Sequence, residues 1–360
     1  MIPARIPALD GVRGVAIALV LVFHFSFPFA ETSELARAVK AVFLRGWVGV
    51  DLFFVLSGYL ITRGLLEKAP DAPLGERLRL FYARRALRIF PLYYLVLAVG
   101  SAVALLGARR PPSLLFWLYL HNYAQALEPN VTEWTGHLWS LAIEEQFYLV
   151  WPFFVLLVPE RGRASATATL LALGIALRLV LTLVVFRGRP IDEMLYRLTP
   201  THADGLLLGA LIAMGRRWHV PALVLSGTVF FVPSLLATGD DTWAAIARGT
   251  EAFAVGGLMM CLVTLAVDGT LSAPLKALMN LPLLRSFGRV SYGMYLFHWP
   301  LVAISLPLLT RTAARLPPAA GVAFSLLVNA VGPMLVYGLA SASYRYFEAP
   351  FLRSSKGNRP

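Results

Sequence analysis

Cysteine is almost absent from this chain. Cys261 stands alone among 360 residues, so there is no disulfide framework and no cysteine-ligated metal site. Charge is scarce too: charged residues make up 14% of the chain against 58% hydrophobic residues, with mean hydropathy +0.68. That much apolar surface cannot be hidden in a soluble core, which excludes a soluble globular protein and points to a polytopic membrane protein. Acidic residues are outnumbered, and the formal net charge is +12. In a soluble chain this excess would suggest nucleic acid. Here the basic residues cluster in short segments between apolar runs, where topology and anionic headgroups account for them, so no nucleic-acid partner is expected. Also missing are a paired-His or His-Glu-x-x-His spacing for a metal and a Gly-x-Ser-x-Gly elbow, since Ser57 in Val55-Leu56-Ser57-Gly58 lacks the first glycine. No metal is therefore expected, and serine-triad chemistry is a poor candidate.

What is present is a series of long apolar windows bounded by charge or proline. They fall at 12–29, 46–62, 89–107, 138–158, 166–186, 203–215, 219–237, 246–267, 291–310 and 319–340. The spacing predicts an all-α polytopic membrane protein with about ten transmembrane helices. The sixth window is short and glycine-rich, and reads as tilted or broken; 113–120 reads as interfacial. The first window is too long for a cleaved signal peptide and is followed by Pro28 rather than a small-residue cleavage site, so it is expected to remain as a span. With no unit of about 20–50 residues repeating, one membrane domain over 1–345 is the simplest organisation, followed by a short basic tail over 346–360. The basic residues Arg63, Lys68, Arg77, Arg79, Arg84, Arg85 and Arg88 outnumber Glu67, Asp71 and Glu76 in the loop 63–88. That imbalance favours a cytoplasmic loop and both termini in the cytoplasm. The same arginines also suit a phosphate site, because Arg85 and Arg88, three apart at a helix start, present guanidinium forks from one face.

Ionisable residues inside apolar spans are costly and mark sites by default. Arg13 and His24 leave one face of the first span about three turns apart, roughly 16 Å along the axis. At 1.5 Å per residue, His24, Asp51, Glu144 and Arg178 fall near one level in the outer half of the membrane. An imidazole, two carboxylates and a guanidinium converging there suit proton transfer and charge stabilisation, although such groups also tie membrane helices together. Ser140, Glu144 and Tyr148 share a helix face at spacing four, and Glu145 projects about 100° away. Asp204 and His202 read as either site residues or interfacial ones. His298, in Tyr295-Leu296-Phe297-His298-Trp299-Pro300, reads as a hydrogen-bonded packing residue, as do His121 and His219.

Five segments, in order, resemble the acyltransferase 3 family of integral membrane O-acyltransferases. They are Leu9-Asp10-Gly11-Val12-Arg13-Gly14 running to Phe23-His24; Gly46 to Thr62 around Val50-Asp51-Leu52-Phe53-Phe54; Arg84-Arg85-Ala86-Leu87-Arg88-Ile89-Phe90-Pro91; His137-Leu138-Trp139-Ser140-Leu141-Ala142-Ile143-Glu144-Glu145-Gln146-Phe147-Tyr148; and Ser291 to Pro300. One departure is His202, where many relatives carry arginine. The chain also resembles the stand-alone membrane domain, without the SGNH-type domain fused to some relatives. The resemblance implies transfer of an acyl group, most often acetyl, from acyl-CoA to a hydroxyl of a surface glycan, glycolipid or secreted metabolite. It implies acetyl-CoA or another acyl-CoA as donor co-substrate, no tightly bound cofactor, and a bacterial cytoplasmic membrane as the location. On that reading His24, Glu144, Asp51 and Arg13 are catalytic. Arg84, Arg85 and Arg88 hold the donor, and Glu145, Ser140, Tyr148, Asp204 and Arg178 face the substrate. His24 acts as general base or takes the acyl group, Glu144 or Asp51 orients its ring, and Arg178 or Arg13 stabilises the oxyanion. A transporter or flippase is the competing class, and a non-catalytic partner of a glycan assembly complex a third; the lack of an inverted repeat and the one-sided basic mouth speak against a carrier.

Overall fold

A computed structural model of the chain describes residues 6–26, 34–67, 72–107, 110–127, 135–186, 192–215, 224–225, 227–228, 232 and 241–357. Its main helices are α1 (Pro7–Phe25), α2 (Glu34–Phe43), α3 (Val48–Glu67), α4 (Leu74–Leu106), α5 (Leu114–Trp117), α6 (His121–Leu127), α7 (Trp139–Leu157) and α8 (Glu160–Val180). Then follow α9 (Asp192–Arg197), α10 (Asp204–Ala213), α11 (Asp241–Asp268), α12 (Ala273–Met279), α13 (Pro282–Arg315), α14 (Pro318–Ser343) and α15 (Ala349–Gly357). No strand occurs among the described residues. Among the described residues seven helices, based on α1, α4, α7, α8, α11, α13 and α14, are long and apolar enough to cross a membrane. The protein is an all-α, multi-pass membrane protein.

Two expectations change. Most of 63–88 is helical rather than looped: 63–67 end α3 and 74–88 open α4. Charge ends a hydrophobic window but not a helix, and pairs such as Arg63 with Glu67, 2.8 Å apart at i,i+4, support the helix instead. The first span also shifts toward the N-terminus. Pro7, favourable in a first helical turn, starts α1 well before residue 12. The helix ends at Phe25, where the Ser26 hydroxyl donates to the Phe23 carbonyl at 2.6 Å and Asn329 donates to the Phe25 carbonyl at 3.2 Å. His24 therefore stands in the last turn of α1. The window 203–215 is short as expected, with α10 ten residues long. The window 219–237 falls almost wholly outside the described residues, and His219 lies outside them. The segment read as a tail is largely helical, and α15 packs against α4.

The core is built on α1 against α13 and α3 against α10, with α1 also lying on α3. Glycine sets how closely the backbones meet. A Cβ on Gly14 of α1 would lie 1.9 Å from the Leu284 carbonyl oxygen, and one on Gly288 of α13 would lie 1.8 Å from that of Asp10. On α3 and α10 the same holds for Gly58 against Leu206 and Gly209 against Val55, each at 1.9 Å. Only glycine permits this approach, the packing that small residues allow between membrane helices. Gly46 meets Leu19 and Phe23, while Gly49 meets Ala16 and Val20, so α1 and α3 run antiparallel.

Candidate active site

Two cavities open toward opposite ends of the α1–α3 pair. The first, about 740 Å³ including its open mouth, receives Arg13 from α1, Phe53, Phe54 and Ser57 from α3, Arg85 and Arg88 from α4, Ser140, Glu144, Glu145 and Tyr148 from α7, and Tyr292 and Tyr295 from α13. The i,i+3 spacing puts Arg85 and Arg88 on one face of α4, and the i,i+4 spacing stacks Ser140, Glu144 and Tyr148 along α7. The Arg85 guanidinium lies over the Tyr148 ring, 5.5 Å from its centroid. The Ser57 and Tyr148 hydroxyls are 2.8 Å apart and face the Glu144 carboxylate. Three guanidiniums in one half-buried cavity suit an anion with several oxygens, and the two glutamates offset the surplus charge.

Arg84, at the same end of α4, is exposed and does not line this cavity. Arg13 joins Arg85 and Arg88. On one continuous helix it stays roughly 16 Å from His24 along the axis, so it cannot act on an atom held at the His24 ring.

The geometry around His24 fixes its tautomer. His298 Nδ1 lies 2.6 Å from the Tyr295 carbonyl oxygen, and His24 Nδ1 lies 3.0 Å from that of Val20. A carbonyl only accepts, so each Nδ1 carries a proton. The remaining His298 nitrogen, Nε2, is 3.2 Å from His24 Nδ1 and accepts from it. In the neutral ring His24 Nε2 is thus the nitrogen with the lone pair, which suits a base or nucleophile. Phe23 and Trp299 each contact the ring edge-on, at centroid distances of 4.8 Å. Beyond His298 stand His137, 4.9 Å away between ring centroids, and Tyr295, 5.3 Å away. The Tyr295 hydroxyl donates to the His137 carbonyl at 2.7 Å, so the Ser140 hydroxyl, 2.6 Å away, donates to Tyr295. A short chain of contacts thus links the arginine cavity, through Tyr295 and His298, to His24.

Asp51 and Arg178 are engaged elsewhere. Asp51 is buried, with one carboxylate oxygen 2.9 Å from His202 Nε2 and the other accepting from the Tyr196 hydroxyl at 3.3 Å. The partner that holds the His24 ring is His298, not Asp51. His202 Nδ1 donates to the Tyr196 carbonyl at 2.5 Å, so a proton must also sit between His202 Nε2 and Asp51. At this position the chain has a histidine–carboxylate pair. Arg178 donates to the Thr201 and Gly249 carbonyls at 2.7 and 3.2 Å and to Asp204 at 2.5 Å, spending its fork on α8–α10–α11 packing. His202 and Asp204 are 0% and 2% exposed, so both side chains lie within the protein. His121 packs in the interior as expected, stacked 4.2 Å from Phe116, but among the described residues neither of its ring nitrogens has a hydrogen-bond partner.

Sequence reasoning missed Tyr295 and the role of His298, although both stand in the Ser291–Pro300 segment. A pairing of helices far apart in sequence leaves no periodic signal. No group of three or more His, Cys, Asp or Glu among the described residues could hold a metal ion.

Residues 6–338 match the family described as an acyltransferase domain, Acyl_transf_3. The chain is similar to peptidoglycan O-acetyltransferase OatA of Listeria monocytogenes, 26% identical over 97% of this chain and 56% of that protein. It is 30% identical to the putative peptidoglycan O-acetyltransferase YrhL of Bacillus subtilis, over 84% of this chain and 49% of the relative. It is 26% identical to O-acetyltransferase OatA of Staphylococcus aureus, over 97% and 57%. The chain spans about half the length of these curated relatives. No solved structure matches it significantly. Matched along nearly its whole length, the chain belongs to the acyltransferase 3 family of membrane-embedded acyltransferases.

Proposed function

We propose that this protein transfers an acetyl group from acetyl-CoA to a hydroxyl of an envelope glycan, with peptidoglycan the leading candidate. The observation that carries the reading is the pairing of a three-arginine cavity with an imidazole of defined tautomer beyond it. Arg13, Arg85 and Arg88 hold the donor's phosphates through bidentate hydrogen bonds. The extended pantetheine arm spans the roughly 16 Å between Arg13 and His24 along α1. His24 Nε2 removes the proton of the acceptor hydroxyl while its oxygen attacks the thioester carbon, the C–S bond breaks and the imidazolium returns the proton to the departing CoA thiolate. In the alternative, Nε2 itself attacks the thioester carbon, CoA leaves as the thiolate, and the hydroxyl then takes the acetyl group from the ring as its proton passes to the thiolate. In either route Nδ1–H continues to donate to the Val20 carbonyl and to His298 Nε2, whose lone pairs face the positive charge that forms on the ring. The excess of arginine over acid along the start of α4 supports a donor cavity on the cytoplasmic side. The names of the relatives support acetyl as the group and peptidoglycan as the acceptor class.

The purified protein in nanodiscs, given acetyl-CoA and soluble glycan fragments, should release free CoA only when the fragments are present. Glycan movement without CoA release would make it a carrier and end the enzymatic reading.

A further inference from the structure

The second cavity, about 890 Å³, lies at the other end of the α1–α3 pair. Phe23 of α1 lines it and also packs edge-on against the ring of its neighbour His24, so this cavity lies at the His24 end of α1, away from Arg13. Trp47, just before α3, and Tyr196 of α9 meet edge to face at 5.8 Å and form its aromatic walls. Glu193 of α9, and Arg248 and Glu251, one turn apart on α11, add polar groups.

Between the two cavities stands a partition. Phe54 lines the first and Tyr196 the second, with Trp139 packed between them at centroid distances of 6.3 and 4.9 Å. The hydrogen-bonded group of Asp51, His202 and Tyr196 pins this wall, because Tyr196 presents its ring to the second cavity while its hydroxyl binds Asp51. The pairing of His202 with Asp51 and the contact of its ring with Tyr196, 4.0 Å between centroids, thus serve the shape of the second cavity.

The lining differs in chemistry from the first cavity. Arg178 reaches this space but is committed to Asp204 and two carbonyls, and Glu193 pairs with Arg197. Aromatic faces beside carboxylates, with one further arginine, are a poor cradle for phosphates. They suit a ligand with apolar C–H faces and hydroxyl donors at its edges: the rings pack on the faces and the carboxylates accept from the hydroxyls. We infer that the second cavity is the binding site for the acceptor sugar, in which Trp47 and Tyr196 pack on a pyranose ring and Glu251 accepts from its hydroxyls. The inference rests on the glycan O-acetylation reading and deepens it. It brings the sugar to His24 from the end opposite the donor, with Phe23 as the boundary.

The test uses the full chain in nanodiscs and β-1,4-linked N-acetylglucosamine oligosaccharides carrying a photoreactive group at one end. Crosslinks competed away by unlabelled oligosaccharide should map to peptides containing Phe23, Trp47, Tyr196 or Glu251. With the same oligosaccharides as acceptors, Trp47→Ala and Glu251→Gln should raise the acceptor KM about tenfold, the loss of one ring contact or charged hydrogen bond, and leave the acetyl-CoA KM unchanged. Trp47→Phe, which keeps the packing face, should lie close to wild type and separates a binding role from misfolding. Transfer to the oligosaccharides with crosslinks at the Glu144–Tyr148 cavity, or with unchanged acceptor KM in both variants, would overturn the subsite while leaving O-acetylation standing. Absence of transfer to any glycan would overturn the underlying reading instead.

Discussion

At the scale of single residues, the account turns on one proton position. His298 accepts from His24 Nδ1 because its own Nδ1 is committed to the Tyr295 carbonyl, and this leaves the lone pair at His24 Nε2. His298 is therefore a positioning residue. His298→Ala should lower kcat by about 10²-fold, within the range that general-base catalysis contributes, with both KM values little changed. His298→Gln, whose amide oxygen can take the place of Nε2, should recover part of that loss; no recovery together with a raised acceptor KM would assign His298 to packing. The sequence identified His298 as hydrogen-bonded, but nothing in one chain says that the bond reaches a residue 274 positions away. His121 shows the opposite case, an interior histidine legible as such. Burial holds its imidazole down to about 4, from an ordinary 6.5. The unfolded chain takes up that proton first, so the contribution of the neutral ring to stability is full above about 6.5 and is lost as pH falls toward about 4. His121→Phe should flatten the decline in melting temperature between neutral and acidic pH; an unchanged slope would show that the ring titrates normally.

Among the elements, the close helix crossings matter most. Gly58 and Gly209 let α3 and α10 meet backbone to backbone, and this crossing delivers Asp51 to His202. Gly58→Ala forces the helices apart, a cost of about 1–3 kcal/mol for overpacking. It should appear as a lower melting temperature with loss of transfer, whereas Gly64→Ala, where a Cβ meets nothing within 4 Å, should leave both unchanged. Equal effects of the two would contradict the packing described here. The sequence predicted most membrane helices because apolar length is a local property, and it placed the sixth span as short. It misjudged α4 because hydropathy reads the membrane, not the helix, and the arginine-rich turns before Ile89 continue the same helix. The two face assignments from helical spacing, Arg85 with Arg88 three apart and Ser140 with Glu144 and Tyr148 four apart, meet in one cavity because helical spacing is also local.

For the whole molecule, the arrangement is two cavities toward opposite ends of the α1–α3 pair, separated by an aromatic partition: one rich in arginine, the other walled by aromatic rings and carboxylates. Counting depth from window edges placed His24, Asp51, Glu144 and Arg178 at one level. The structure separates them, since His24 sits in the last turn of α1 while Asp51 and Arg178 pair with His202 and Asp204. Depth is one coordinate of three, and long-range pairing decides the others. If the arginine cavity holds the donor, Arg85→Ala and Arg88→Ala should each raise the acetyl-CoA KM by about tenfold or more, a lost charge-assisted pair, with the acceptor KM unchanged. A shift in the acceptor KM alone would reverse the assignment of the two cavities. The most direct measurement is label transfer from acetyl-labelled acetyl-CoA, supplied to the cytoplasmic face of inverted membrane vesicles, into the glycan fraction. Wild type should label the glycan and a correctly folded His24→Ala should not; equal labelling by both would contradict the central role assigned to His24.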